Sequence, residues 1–319
     1  MRDLYQDQIM GNHPSRTWTK KFMTDMISRL SATGWTVELK DIVNTCQSFR
    51  LDDARIVVNL VHVPHSTLDS QTWLISDVVS YHQKRFDLYP TVFGNYYEDF
   101  DYQESVPTKR FNCFINRGCA FRQSWLYQFV RRQIHDLGNI SYWCEARLRN
   151  TPPDVYFEEL FLEHNQIFSA EHKKLQGKIP YKNFEMSLEQ AIIDSERSIV
   201  IETAYDPNQF ISYSEKTWRA LQLPRPVLFF NAQYSVQHLR NWGFDVMDDV
   251  VDHSYDQCPD HIQRQVMILD QLNSDIKYDA QRFEQAAKHN RDLLFSFKCQ
   301  WPVQYEQMMD KITRHFPQK

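Results

Sequence analysis

Two short stretches of this 319-residue chain combine residue types that hold phosphate. The first is Asn116, Arg117 and Arg122, which follow the apolar run FNCFI from Phe111 to Ile115. A loop that leaves a strand and enters a helix offers an anion its backbone N–H groups and the positive end of the helix dipole. An arginine there adds a planar fork that grips a diphosphate through two parallel hydrogen bonds. The second stretch is Ser214, Glu215 and Lys216. Ser214 suits a helix N-cap, Lys216 supplies charge to a phosphate, and the Glu215 carboxylate accepts from two ribose hydroxyls. Each stretch also has a plain structural reading: solvated arginines on a loop, and an acid in the first turn of a helix, where the dipole favours it. A further acid, Glu202, ends the apolar run Ile199 to Ile201.

Composition narrows the chemistry. Seven glycines, with no G-x-G-x-x-G or Walker-type run among them, rule out dinucleotide and P-loop fingerprints. A formal charge of −5 argues against a general basic coat for nucleic acid, leaving a local groove as the way to hold it. The six cysteines (Cys46, Cys113, Cys119, Cys144, Cys258 and Cys299) show neither a C-x-x-C pair nor zinc spacing, and read as free thiols in a reducing compartment. MRDLYQDQIMGNHPSR at the start lacks the apolar centre of a signal peptide. No run approaches the roughly 18 apolar residues of a membrane span. The expectation is a soluble, cytoplasmic protein without membrane insertion.

The elements that would carry these residues alternate in an α/β pattern. Phe22, Met23, Met26, Ile27 and Leu30 form a helical stripe ending at Gly34. Trp35, Val37 and Leu39 alternate like a strand, and Arg55 to Val63 holds a continuous apolar run suited to a buried parallel strand. Ser70 to Arg85 reads as a helix, with Trp73, Leu74, Val78 and Tyr81 on one side. Strand Phe111–Ile115 leads to a helix marked by Phe121, Trp125, Phe129 and Ile134 and ended by Gly138. A strand then spans Ile140 to Trp143, and Ser187 with Gln190 makes a capping box. Strands follow at Ile199–Ile201 and Val227–Phe230. Pro259 starts a helix with Ile262, Val266, Leu269 and Leu272 on one face, and Ser274–Phe297 and Pro302–His315 form a helical tail. The expected domains are an N-terminal α/β domain over 1–106, a second over 107–275, and a helical tail over 276–319 that crosses back to the first.

One block resembles a known family. Tyr213, Ser214, Glu215, Lys216, Thr217, Trp218 and Arg219 match the characteristic motif of fucosyltransferase-like glycosyltransferases: an aromatic or apolar residue, Ser/Thr-Glu-Lys, Leu/Thr, Trp/Phe and Arg/Lys. Glu202-Thr203 resembles the acid-bearing strand end that precedes it in the family. FNCFINRGCAFR resembles the family's strand and arginine-bearing loop, and LRNWGFDVMDDVVDHSYDQ a tail found in bacterial and phage members. In that tail His253 stands where the family usually has an acid. The resemblance covers about Phe111 to Asp256, and residues 1–105 carry none of it.

The resemblance implies a GT-B-like chain of two Rossmann-like domains with a helical C-terminal tail, the donor lying in the cleft between them. It implies a glycosyltransferase that moves a sugar from a UDP- or GDP-linked donor to a hydroxyl acceptor, with no metal and no further cofactor. The implied donor-binding residues are Arg117, Arg122, Glu202, Ser214, Glu215 and Lys216. A base to deprotonate the acceptor comes from the N-terminal domain, where His62, His65, Glu98 and Asp99 are the candidates, each with an equally plain structural role. Asp99-Phe100-Asp101 matches the Asp-x-Asp metal site of the other glycosyltransferase fold, but the surrounding elements do not fit that fold. A glycan, a small molecule or a hydroxylated DNA base fits as acceptor, the last because phages glycosylate modified bases. The alternative is a non-catalytic nucleotide- or nucleic-acid-binding or structural protein that retains the donor-domain fold.

Overall fold

The computed structural model of the protein describes residues 94, 96–115, 120–142, 185–202, 210–211 and 213–315, with Asp25, Ser28, Arg29 and the backbone of the strands between residues 37 and 87. The first strands are β1 (Val37–Ile42), β2 (Cys46–Leu51), β3 (Ala54–Asn59), β4 (Trp73–Ser76), β5 (Val79–Ser80) and β6 (Arg85–Asp87). After them come β7 (Phe111–Ile115), β8 (Gly138–Tyr142), β9 (Ser198–Ile201), β10 (Phe210–Ile211) and β11 (Val227–Phe230). The helices are α1 (Ala120–Arg131), α2 (Leu188–Ile193), α3 (Glu215–Leu221), α4 (Ser235–Asn241), α5 (His261–Gln271) and α6 (Ala280–His315). The protein is thus α/β, with a long C-terminal helix.

The chain divides into two compact units. One comprises Asp99–Thr203 and Arg219–Asn290, and the other Met1–Glu98, Ala204–Trp218 and Arg291–Lys319. The first is built on a four-stranded sheet in the order β11-β9-β7-β8, parallel throughout. Its strands are buried along nearly their whole length. That is why they read as unbroken apolar runs, since helices cover both faces of such a sheet. Trp125 and Phe129 of α1 pack on it, with Trp125 edge-on to Phe230 at 5.0 Å and Phe129 5.0 Å from Phe111. Ser187 caps α2 as expected, its Oγ accepting from Gln190 N at 3.1 Å. Gln190 does not close the box, because its side-chain amide exchanges two hydrogen bonds with the backbone of Gln103.

Four local readings in this unit differ from the sequence expectation. Helix α1 ends before Gly138: Gln133 takes the left-handed conformation (φ 57), Ile134 N donates to Phe129 O and Gln133 N to Val130 O. Gly138 instead opens β8, where a Cβ would come within 2.5 Å of the Phe111 ring, so the position needs glycine for close approach. Helix α5 begins after Asp260, whose carboxylate accepts from Ile262 N and Gln263 N, and Pro259 lies outside it. Ile262 points outward while His261, Arg264, Gln265, Ile268 and Leu269 form the buried face, which turns the expected stripe by about one residue.

The other unit has a mixed sheet in the order β1-β2-β3-β4-β6. Pairing is antiparallel from β1 to β3 and parallel from β3 through β4 to β6. The segment read as a helix over Ser70–Arg85 is β4, β5 and the start of β6. Its Trp, Ile and Val side chains favour an extended pleat, and pairing with β3 supplies the partner that local spacing cannot reveal. Pro302 lies inside α6 and does not begin a second helix. The missing hydrogen bond costs about 3 kcal/mol, a loss offset where Leu294, Phe297, Met308, Met309 and Ile312 are buried along the same helix. Arg29 grips Glu306 of α6 with both terminal nitrogens, at 2.7 and 2.6 Å, and Tyr305 donates to Asp25. Among the described residues no helix is long and apolar enough to cross a membrane.

Candidate functional site

The strand order of the parallel sheet defines where a ligand would lie. From β7 the chain moves outward to β8, then returns to the other side of β7 as β9 and continues to β11. The direction reverses between β7 and β9, and open α/β sheets bind ligands at the carboxyl ends of the strands beside such a reversal. Two of the expected donor residues meet there. Glu202 follows the last residue of β9, and its N–H donates to Phe230 O of β11 at 3.2 Å. Arg122, in the first turn of α1, sends Nη2 to Ile201 O at 3.4 Å. A guanidinium from the element after β7 thus reaches the residue next to Glu202 at the end of β9. Both residues are 1% exposed. A buried carboxylate and a buried guanidinium at one edge cost desolvation, which fixed hydrogen bonds must offset.

The loop leaving β11 borders the same edge and is fixed from several directions. Arg264 of α5 donates to Asn231 O through Nη1 and to Cys258 O through Nε. The Asn231 side chain accepts from Ala232 N at 2.8 Å. Asp256 holds the start of α4: Oδ1 accepts from Ser235 Oγ and Val236 N, Oδ2 from Gln237 N, and its carbonyl from Tyr234 N. Gly243 closes that helix with φ 94, letting Phe244 N reach Leu239 O and Gly243 N reach Arg240 O. The aspartate of Ser254-Tyr255-Asp256 is therefore a helix cap. The tyrosine is a strand clamp, since Tyr255 Oη accepts from Phe229 N at 2.9 Å. His253 completes the chain of bonds, with Nε2 3.0 Å from Val246 O and Nδ1 2.8 Å from Tyr255 Oη. The pattern requires Nε2–H as donor and Nδ1 as acceptor of the tyrosine proton. Burial holds the His253 pKa below the ordinary histidine value and pushes that of Tyr255 up. His253 thus serves the core.

Ser214, Glu215 and Lys216 belong to the other unit. Strand β10 pairs antiparallel with β5 just before them. Ser214 Oγ accepts from Lys216 N at 3.4 Å and Ser214 O from Thr217 N, so Ser214 is the expected cap of α3. Lys216 Nζ lies 3.2 Å from Glu215 Oε1. Trp218 is fully buried against Tyr213 at 5.4 Å and Tyr96 at 6.2 Å. The aromatic positions of the motif anchor its helix and leave the Glu–Lys pair partly exposed.

The remaining expected residues divide simply. Asn116, Arg117, His62 and His65 lie outside the described residues. Glu98 is half-buried and Asp99 exposed, at the point where the chain passes from one unit to the other. Asn231, Tyr234 and Arg264 were not singled out in the sequence, because each is an ordinary residue until the pairing of β11 with β9 puts the loop leaving β11 at the same edge as Glu202. A cleft of about 460 Å³ elsewhere in this unit is lined by Asp248, Asp249 and Asp252, but their carboxylates already engage Arg240, Arg282 and Ser254. Among the described residues no group of three or more His, Cys, Asp or Glu side chains could hold a metal ion. No family model, curated protein or solved structure matches the chain.

Proposed function

We propose that this protein is a nucleotide-sugar-dependent glycosyltransferase of GT-B-like architecture. The observation that carries the reading is the arrival of Arg122 at the end of β9, next to Glu202, at the reversal of strand order. The Ser-Glu-Lys block from Ser214 to Lys216 supports it by resemblance. On this reading both units are Rossmann-like. The parallel β3-β4-β6 core of the second unit is extended by the antiparallel β2 and β1.

Cleaving the sugar–phosphate bond puts negative charge on the departing nucleoside diphosphate. Fixed cations stabilise that charge by several kcal/mol because they need no reorganisation as it develops. Arg122 and Lys216 are the proposed cations, with Arg117 as the second arginine. Glu215 accepts from the ribose hydroxyls, and Glu202 faces the donor sugar or nucleotide. One of His62, His65, Glu98 and Asp99 takes the proton of the acceptor hydroxyl, which belongs to a glycan, a small molecule or a hydroxylated base in phage-type DNA modification. A thermal-shift screen against UDP- and GDP-sugars tests the reading. Binding raises the melting temperature by mass action, and Lys216→Ala should abolish the rise. If no nucleotide moves the parent and Lys216→Ala matches it in every assay, the enzyme reading fails.

The near-complete burial of Arg122 and Glu202 favours a second reading, a non-catalytic structural protein that retains the donor-domain fold, with both residues serving the core. It predicts no thermal shift with UDP or GDP. A nucleic-acid-binding version predicts steeply salt-dependent DNA binding without nucleotide.

A further inference from the structure

We propose that Tyr234 is the platform on which the base of the bound nucleotide stacks, so that the base subsite lies at the loop leaving β11. The inference rests on the nucleotide reading above and adds a specific side chain and a ligand chemistry to it.

The backbone of Tyr234 sits in the left-handed region, at φ 66 and ψ 13. Side chains other than Gly, Asn and Asp are uncommon there, because Cβ crowds the following carbonyl. Burial does not explain the choice of tyrosine, since the side chain is 46% exposed. The loop is nonetheless held rigidly: Tyr234 N donates to Asp256 O, Tyr234 O accepts from His238 N, Arg264 fixes Asn231, and Gln233 Nε2 donates to Gln257 O at 2.6 Å. A strained residue kept by an over-determined surround points to function more than to packing. A rigid loop with one projecting ring is how a fold presents a preset contact.

Position selects the ligand. Strand β11 lies beside β9, with Glu202 N donating to Phe230 O. Tyr234 therefore follows one strand away from Glu202, at the same carboxyl edge that Arg122 reaches. A projecting aromatic face at the edge where the nucleotide reading puts the donor suits a molecule with a planar ring at one end and phosphates at the other, a nucleoside diphosphate. Base–aromatic stacking tolerates base identity, since every base has a π-face. The platform therefore takes uracil or guanine alike.

Calorimetric titration of the full chain with UDP, GDP and inorganic pyrophosphate tests this, using the parent, Tyr234→Gly and Tyr234→Phe. Glycine accepts the left-handed backbone without strain, so Tyr234→Gly should melt at or slightly above the parent temperature. Its affinity for UDP and GDP should fall about 5- to 100-fold, with pyrophosphate binding unchanged. Tyr234→Phe should stay within about twofold of the parent, because the ring stacks without its hydroxyl. The platform is overturned if Tyr234→Gly binds UDP and GDP like the parent, if pyrophosphate weakens by the same factor, or if Tyr234→Gly melts well below the parent, which would make the ring a packing element. A parent that binds neither nucleotide removes the nucleotide reading and the platform with it, an outcome told apart by the silence of the parent itself.

Discussion

The two edges of the parallel sheet hold arginine in different surroundings. At the amino edge, Arg225 is fully buried. Its nitrogens donate to the carbonyls of Ile193, Ser195, Pro224 and Ser105. Arg197, directly before β9, donates to Gln271 O and Ser274 O, and Arg110, directly before β7, to Leu272 O and Asp275. These residues collect the carbonyls that helix ends and strand entries leave over. Burial pulls the pKa of Arg197 and Arg225 below the ordinary arginine value, yet guanidinium stays charged in proteins. At the carboxyl edge, Arg122 makes a long bond to Ile201 O beside a carboxylate. An arginine whose fork is filled by fixed carbonyls is a structural bolt. Arg122 is as buried as Arg225, but it stands at the strand-order reversal, where the proposed function puts a nucleotide.

The same substitution at both edges tests this contrast. Arg225→Lys removes donors from several buried carbonyls at once and should cost on the order of 3 kcal/mol, read as a lower urea midpoint. Tyr255→Phe, between the edges, leaves Phe229 N–H and His253 Nδ1 without their partner and should cost about 1–3 kcal/mol. Arg122→Lys keeps the charge and loses the fork. On the nucleotide reading, UDP or GDP binding should weaken about tenfold, read by calorimetric titration. An Arg122→Lys variant that binds UDP or GDP as the parent does would erase the distinction between the edges.

Acid provides a smaller effect. His238, His253 and His261 are all held below the ordinary histidine value, chiefly by burial. Below about pH 6.5 the unfolded chain therefore binds more protons than the folded one. Stability is full above that pH and falls as the pH drops toward the folded-state values. His253→Gln should flatten the fall in urea midpoint between about pH 7 and 5, by up to about 1 kcal/mol; an unchanged slope would exclude His253 as a contributor. The smallest expected change is a gain. Gln133→Gly at the left-handed end of α1 should stabilise by about 0.5–1 kcal/mol, seen as a higher urea midpoint.

Legibility followed the range of the interaction that decides each element. The apolar runs at Phe111–Ile115, Ile199–Ile201 and Val227–Phe230 are strands in the structure, and Ser187 caps α2. In each case burial on both faces or a bond three residues away settles the outcome. Ser70–Arg85 was misread as helical because the deciding partner is β3. Gly138 was misread as a helix stop because the need for glycine comes from the Phe111 ring. Ile262 was assigned to the wrong face because the buried contacts of α5 belong to Arg264, Gln265 and Ile268.

Local sequence accounts for the apolar strands of the parallel sheet and for the caps at Ser187 and Ser214. These depend on side-chain type and on neighbours a few positions away. Which residues share an edge is set by the fold, since strand order is a long-range choice among pairings that look alike locally. That order brings Arg122 to Glu202 and gives Asp256 a helix to cap. It also exposes the left-handed Tyr234 on a clamped loop, where the amino-acid code alone shows an unremarkable tyrosine.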